Sequence, residues 1–483
     1  MDGKEATTAA TAPKPELRFV EFEGPDDPLH PWNWPIGNRR LVSVIVALST
    51  MTVAMASSIF TSAIPSIMEM HGISREVGTL GVSLYVLGFA TGPIVWASFS
   101  EIKGRYLPFT TSLFGFSVFC FATARSGPDL ASIFICRYFG GVFGAGPLTL
   151  AGAIFSDMYT PRERTGMMTL FSLTVFLGPL LSQPIGGFIV KNKSLGWEWT
   201  EYLPGILGSA QFALLVFLQK ESYPPVILAR KADKLRRETG DWSIIAKQDT
   251  IALDPRAIIQ NYILQPMRML VLDPIILCMS TFGAFVYGLL YLFLTAYPDV
   301  FQVVHHMSLG VSGLPYLGLV VGQLLNAVVS MLIQKYWLVP RMIKNRGILE
   351  PEWVLPIAVP GSAAFSGGLF WFGWSGYKAS IHWMVPTASG ILSGFGLLAM
   401  FLPSISYIVL ARPERAASGV AAHTFLRSLF GAGFPLFATY MYENLGIQWA
   451  STLLGCLAAA MLPIPLLLYI YGAKIRQKVQ IEY

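Results

Sequence analysis

Long runs of apolar residues alternate with short polar segments along almost the whole chain. Each run holds roughly 19 residues or more, enough for a helix rising about 1.5 Å per residue to cross a hydrocarbon core of about 30 Å. The pattern therefore predicts twelve membrane-spanning helices, at residues 41–64, 78–99, 106–125, 130–156, 166–190, 201–219, 274–297, 311–333, 353–374, 384–410, 418–440 and 450–471.

The longest polar stretch after the amino terminus divides these helices into two sets of six. Its segment Leu228–Gly240 has the charge spacing of a helix that lies on a membrane surface. We therefore expect an all-α membrane protein in which two six-helix bundles surround a central cavity. The predicted divisions are an amino-terminal segment (1–40), a first bundle (41–219), a linker (220–273), a second bundle (274–472) and a tail (473–483).

Composition agrees with a membrane location. Hydrophobic residues make up 53% of the chain and charged residues 13%, against about 25% charged residues in soluble domains. Two of the 34 Lys and Arg residues lie inside predicted spans, and few of the others lie in loops on the outer side. Under the positive-inside rule, this bias places both termini in the cytosol. The outer basic residues are Arg75, Arg125, Lys191, Lys193 and Lys378.

Several other classes of protein are disfavoured by what the sequence lacks. The net charge of +6 comes from basic residues in the short loops between apolar runs. Membrane orientation explains these residues, so no nucleic-acid partner is expected. The four cysteines lie in apolar runs, which argues against a disulfide framework and against a metal site. Neither a hydrolase triad nor a phosphate-binding glycine loop is present, so we expect no enzyme activity and no cofactor.

The turn after the second span carries Glu101, Gly104 and Arg105. This segment resembles the cytosolic loop signature of the major facilitator superfamily. Glycine permits the tight turn, and Glu101 and Arg105, which the sequence places in the loop, can form a charge network with neighbouring helix ends. Asp157, at the end of the fourth span, is placed to accept from Arg105 or Arg162. The alternative is a hairpin whose basic residues only set the orientation of the protein in the membrane.

An arginine lies inside the fourth span, in the segment from Arg137 to Gly146. The segment resembles the Arg-xxx-Gly motif of the same superfamily. A charge at this depth is costly and is normally directed into the protein. The resemblance implies that Arg137 modulates the protonation of a nearby group. The alternative is a structural arginine that is hydrogen-bonded to backbone carbonyls.

The fifth span resembles a motif of proton-coupled exporters in the superfamily. Its small residues would pack against the other bundle, and its prolines permit a bend. Ser-Gln replaces a second Gly-Pro pair, so the glutamine becomes a candidate substrate contact, although a purely structural bend remains open. The motif residues are Gly178, Pro179, Gln183, Gly186 and Gly187.

The segments 27–40, 221–240 and 412–418 resemble fungal twelve-helix drug:proton antiporters. The resemblance implies a monomeric plasma-membrane efflux pump that exports a drug-like or secondary-metabolite molecule against proton entry by alternating access. An exporter of a small organic acid on the same fold is the alternative. A nutrient sensor is disfavoured because the tail beyond Gly472 is short.

Substrate preference follows from the charges predicted to be deep. The sequence offers no obvious mid-membrane carboxylate, whereas Arg137 and Arg427 are interior, so neutral or anionic compounds are expected. His423 shares a helix face with Arg427, and it either titrates near neutral pH or is a satisfied interior histidine. The polar and aromatic cavity candidates are Tyr85, Gln183, Gln211, Tyr287, Tyr291, Gln323 and Asn326.

The segment Asn192-Lys193-Ser194 is an N-glycosylation sequon in a loop predicted to face outward. Asn192 is therefore a candidate glycosylation site, although the loop is close to the membrane. The alternative is an unmodified loop.

Overall fold

The computed structural model describes residues 18–24, 26–250 and 260–478, apart from the side chains of seven residues within these ranges. The remaining parts of the predicted amino-terminal segment, linker and tail lie outside the described residues. Within the described residues, eleven helical stretches are long and apolar enough to cross a membrane. The last, Pro413–Lys478, contains two crossings joined at Gly446, whose φ of 74° interrupts the helix. The predicted all-α architecture of twelve crossings is confirmed.

The first six crossing helices are α1 (Ile36–His71), α2 (Arg75–Lys103), α3 (Tyr106–Arg125), α4 (Leu130–Met158), α5 (Pro161–Lys191) and α6 (Trp199–Leu218). The second six are α7 (Pro274–Val304), α8 (Val311–Lys344), α9 (Pro351–Gly376), α10 (Met384–Ala411), α11 (416–445) and α12 (447–478). We call the side that holds the linker the inner side and the opposite side the outer side.

Polar caps and glycines determine where several of these helices begin and end. The side chain of Asp129 accepts hydrogen bonds from two backbone N–H groups in the first turn of α4, and that of Asp273 accepts one in α7. These carboxylates satisfy donors that a helix start leaves unpaired. Gly72 and Gly104, with φ of 64° and 88°, end α1 and α2.

Several helices extend beyond their predicted boundaries, and the first two crossings illustrate this. The first crossing was predicted at 41–64, but α1 runs to His71 because a 3-10 turn at Phe60–Ala63 continues the helix axis. The prediction that Glu101 lies in the loop is wrong. The residue is in the last turn of α2, which ends only at Gly104.

Corresponding helix pairs in the two bundles pack through glycine. A Cβ atom added to Gly141 of α4 would collide with the backbone oxygen of Tyr85 in α2. A Cβ atom added to Gly394 of α10 would collide in the same way with the backbone oxygen of Leu319 in α8. Glycine allows the backbones of membrane helices to approach this closely. The two bundles therefore share a packing device that the sequence does not reveal as a repeat.

The linker contacts the amino-terminal segment. It contains a helix, Pro224–Thr239, which starts four residues before the predicted surface segment and ends at Gly240 with φ of 70°. The strand Ile244–Ile245 pairs in parallel with Arg18–Phe19. The Lys231 ammonium contacts the Asp27 carboxylate at 3.7 Å. Backbone hydrogen bonds lower the pKa of Asp27, so this carboxylate is ionised at neutral pH.

Candidate functional site

Arg105 organises a charged network on the inner side. Its Nε donates to the Asp157 carboxylate at 3.1 Å, and its backbone N–H donates to the Glu221 carboxylate at 2.8 Å. Gly104 lies so close to Glu221 that any Cβ atom would collide with that carboxylate. The network thus connects the α2–α3 turn to the end of α4 and to the start of the linker.

This network contains one acid that the sequence did not indicate as a site residue. Glu221 was noted only as part of a linker segment, and its position just beyond α6 was the available signal. The backbone oxygen of Glu101 accepts a hydrogen bond from the Gln248 side chain at 2.7 Å. Of the two predicted partners of Asp157, Arg105 is present, and the Arg162 side chain lies outside the described residues.

Arg137 is almost completely buried and has four polar partners. One terminal nitrogen donates to the Glu201 carboxylate at 3.0 Å and to the Ala56 carbonyl at 2.9 Å. The other donates to the Ser57 carbonyl at 3.2 Å, and Nε donates to the Gly81 carbonyl at 3.0 Å. One guanidinium therefore joins α4 to α1, α2 and α6.

Glu201 corrects the expectation that the interior holds no carboxylate. The side chains of Glu201 and Arg137 are each 1% exposed. Glu201 lies in the first turn of α6, at the first residue of the predicted span 201–219. Trp197, itself buried, precedes that turn. The predicted cavity candidate Tyr85 packs against Arg137, with its ring centre 4.3 Å from the guanidinium carbon.

The two bundles meet, near the middle of their crossing helices, in a cluster that we call the central seam, formed by Phe176, Tyr287, Tyr291, Phe401 and Arg427. The Arg427 guanidinium carbon lies 4.6 Å from the ring centre of Tyr287 and 5.2 Å from that of Phe401. Phe176 of α5 packs edge-on against Phe401 with ring centres 4.7 Å apart. The Tyr287 and Tyr291 hydroxyls are 3.4 Å apart. The seam is therefore aromatic and carries one cation.

Buried polar atoms at the seam lack hydrogen-bond partners. Among the described residues, nothing accepts from Nε of Arg427, and neither ring nitrogen of His423 has a partner. Both side chains are almost completely buried. His423 packs against Gly283, where an added Cβ would collide with its ring. Unpaired buried polar groups are rare in folded proteins, so these atoms are candidates for contact with a polar ligand.

The other polar candidates fall into two groups. Gln323 and Asn326 of α8 are fully buried, and each has side-chain atoms without a partner among the described residues. Gln211 donates to the Thr52 hydroxyl at 2.9 Å, and Gln183 donates to the Ser58 carbonyl at 3.1 Å. The last two contacts tie α6 and α5 to α1.

The glycines of α5 do not all pack as the motif suggested. Gly178 and Gly186 approach α1 of their own bundle, where added Cβ atoms would lie 2.6 Å from the Met51 carbonyl and 2.8 Å from the Ser62 hydroxyl. Of these three glycines, only Gly187 faces the other bundle. A Cβ atom added to it would lie 2.5 Å from the Leu309 carbonyl oxygen. The helix continues through Pro179 and Pro184 without interruption.

The bundles also touch on the outer side. Arg75 of α2 forms an ion pair with Asp299 of α7 at 3.0 Å, and Lys191 donates to the Ser308 hydroxyl at 3.3 Å. A cavity of about 620 Å³ lies there, and Gln183 is among its lining residues. The outer ends of the bundles are therefore held together in this conformation.

Asn192 is exposed in the short loop after α5. Its side-chain oxygen accepts a hydrogen bond from the Ser194 hydroxyl at 2.7 Å. The contact links the two residues that define the sequon. Glycosylation of Asn192 stays a prediction.

Comparison with known proteins places this geometry in context. The family model of the Major Facilitator Superfamily matches residues 46–435. The Candida albicans major facilitator superfamily multidrug transporter FLU1 is 42% identical over 460 residues, covering 95% of this chain and 75% of that protein. The Candida glabrata multidrug transporter TPO1_1 is 41% identical, covering 96% and 81%.

One relative of similar length belongs to a biosynthetic gene cluster. The citrinin biosynthesis cluster transporter mrr1 of Monascus ruber is 38% identical, covering 95% of this chain and 92% of that protein. Among solved structures, the human organic anion transporter MFSD10 has a TM-score of 0.64 at 17% identity, covering 89% of this chain and 100% of that one. The structural likeness establishes a shared fold.

Proposed function

Because the chain belongs to the major facilitator superfamily, we propose that it is a proton-coupled antiporter that exports a small drug-like or secondary-metabolite molecule across the plasma membrane. It is a multi-pass membrane transporter of small molecules, in a family of transporters and not of enzymes. Its multidrug-transporter relatives support efflux of drug-like compounds. Proton coupling, the plasma membrane and cytosolic termini are the finer parts of the proposal.

The observation that carries the substrate proposal is the environment of Arg427. This cation lies against the Tyr287 and Phe401 rings in the central seam, and no ion pair to it occurs among the described residues. A planar ligand can stack on such rings, and an acceptor group on it can receive the free N–H. Neutral or anionic aromatic compounds therefore suit this seam better than polycations do.

Alternating access requires that the two bundles separate and rejoin around the seam. We assign residues 41–219 and 274–472 to the moving bundles and residues 220–273 to the connection between them. In the conformation described, the Arg75–Asp299 ion pair and the Gly187–Leu309 contact hold the outer ends together. Opening outward breaks both contacts.

The inner network is proposed to close the opposite side of the pathway. Arg105 holds Asp157 and Glu221 in one cluster at the inner ends of α2, α4 and α6. Glu101 is adjacent to it at the end of α2. Forming and breaking these ion pairs would stabilise one access state over the other, as charge networks at helix ends do in switching proteins.

Inverted membrane vesicles test the function directly. With the inner side facing the bath and the lumen made acidic, aromatic candidate substrates should accumulate in the vesicles while protons leave. A protonophore should abolish accumulation, and vesicles without the protein should show none. If protein-dependent uptake is the same with and without the proton gradient, the antiport proposal is wrong and uniport remains.

Export of a small organic acid is the second candidate, since the Arg427 cation, whose Nε has no partner among the described residues, could bind a carboxylate. An organic-acid exporter transports anions, whose uptake should be lost in Arg427→Gln. A drug exporter also transports neutral compounds, whose uptake the same variant should spare.

A further inference from the structure

We propose that Glu201 carries the coupled proton, and that Arg137 and Ser57 transmit its charge state to the central seam. This inference rests on the proposed proton coupling and names the group responsible for it. The evidence is a continuous series of contacts that begins at the buried Glu201 carboxylate and ends at the Arg427 guanidinium, the proposed substrate-binding group.

Glu201 is better isolated from water than the acids of the inner and outer networks. Its side chain is 1% exposed, compared with 14% for Asp157 and 19% for Asp299. A coupling site must exchange protons with only one side of the membrane at a time. A carboxylate sealed in the conformation described, and reached only when the bundles move, meets that condition.

The groups facing Glu201 come from three helices. Arg137 of α4 supplies the ion pair at 3.0 Å. Tyr85 of α2, Cys120 of α3 and Cys136 of α4 are near enough to interact with the carboxylate electrostatically. Arg137 is the charged member of this set. The protonation of Glu201 is therefore controlled by its burial and by the distance to one guanidinium.

Proton uptake changes the balance of charge around Arg137. When a proton from the outer side binds a Glu201 oxygen, the carboxylate becomes neutral and the guanidinium keeps its charge. A buried cation without a counter-charge is unfavourable. The guanidinium still holds the Ala56 and Ser57 carbonyls, so its relaxation pulls on α1. Release of the proton to the inner side restores the pair, and one proton enters per cycle.

Ser57 connects this movement to the seam. Its carbonyl accepts from Arg137, while its hydroxyl lies 2.7 Å from the Tyr291 hydroxyl of the other bundle. Tyr291 contacts Tyr287, whose ring faces Arg427. A shift of α1 at Ser57 therefore changes the positions of the two tyrosines that pack beside the Arg427 guanidinium.

The test compares Glu201→Gln with Glu198→Gln in reconstituted vesicles. The glutamine at 201 keeps an acceptor for Arg137 and imitates the protonated state, so the protein should fold. It should lose gradient-driven accumulation and pH dependence while retaining exchange of substrate between equal pools. Glu198 lies three residues earlier and is partly exposed. Its replacement should leave accumulation and exchange as in the wild type.

The outcomes distinguish this inference from the proposed function. Wild-type transport that ignores the gradient would overturn both. Gradient-driven transport that survives in Glu201→Gln would overturn only the role of Glu201. If Glu201→Gln does not fold, Glu201→Asp replaces it, because a shorter carboxylate weakens the ion pair but still titrates. Its pH profile for exchange should shift from that of the wild type, and an unshifted profile would overturn the inference.

Discussion

The two interior arginines occupy opposite kinds of environment. Arg137 of the first bundle is paired with a carboxylate and three backbone carbonyls. Arg427 of the second bundle lies between aromatic rings, with Nε unpaired among the described residues. Both are almost completely buried. Their difference is one of hydrogen bonding and counter-charge.

The contrast teaches how the same residue type serves two purposes in a membrane. A buried charge that is fully hydrogen-bonded fixes the positions of the helices it joins, here α1, α2, α4 and α6. A buried cation without polar partners contributes little to that rigidity, and its binding capacity is available to a ligand. The arginine of the first bundle therefore helps to fix the helix frame, and the arginine of the second supplies an unsatisfied donor.

Replacing Arg137 should have the largest effect. In Arg137→Ala, Glu201 loses its counter-charge and three carbonyls lose their donor, so we expect a loss of about 3–5 kcal/mol in folding stability. The yield of monodisperse protein and the thermal unfolding midpoint in detergent measure it. Arg137→Lys keeps the charge and should lose less. Equal stability of wild type and alanine variant would remove the structural distinction between the two arginines.

Replacing Arg427 should change substrate selection more than stability. Arg427→Gln should unfold near the wild-type temperature, because few polar contacts are lost. For an anionic substrate, loss of the charge-assisted contact should reduce transport roughly tenfold or more, with neutral substrates spared. Uptake of matched anionic and neutral compounds measures this. Equal loss for both would mean that the cation positions the seam and does not select by charge.

The link between the two regions should give the smallest effect. Ser57→Ala removes the hydroxyl contact with Tyr291 and keeps the carbonyl that Arg137 needs. We expect a loss of about 1 kcal/mol in stability and slower transport. Ser58→Ala is the matched control, because its hydroxyl contacts Ser182 within the same bundle at 2.9 Å. If both variants slow transport equally, the contact between bundles has no special role.

The sequence predicted the features that depend on the length of apolar runs and on local motifs. Apolar length predicted the twelve crossings, and the turn motif pointed to Arg105 and Asp157, which the structure brings to 3.1 Å. Both arginines were recognised as interior because charges in long apolar runs must avoid lipid. The partners were harder to predict. Glu201 lies near a predicted helix end, where an acid is ordinarily exposed to water.

The sequence by itself determined the membrane class, the number of crossings and the residue types that can carry charge inside the bundle. These follow from local hydrophobicity, which one segment expresses without its neighbours. Only the tertiary structure decided that Arg137 is paired, whereas Arg427 has no ion pair within the part of the chain that the structure describes. Pairing depends on which helices pack together, and Arg137 and Glu201 are 64 residues apart in the chain. Burial and partner are properties of the packed bundle, and they determine what each charge can do.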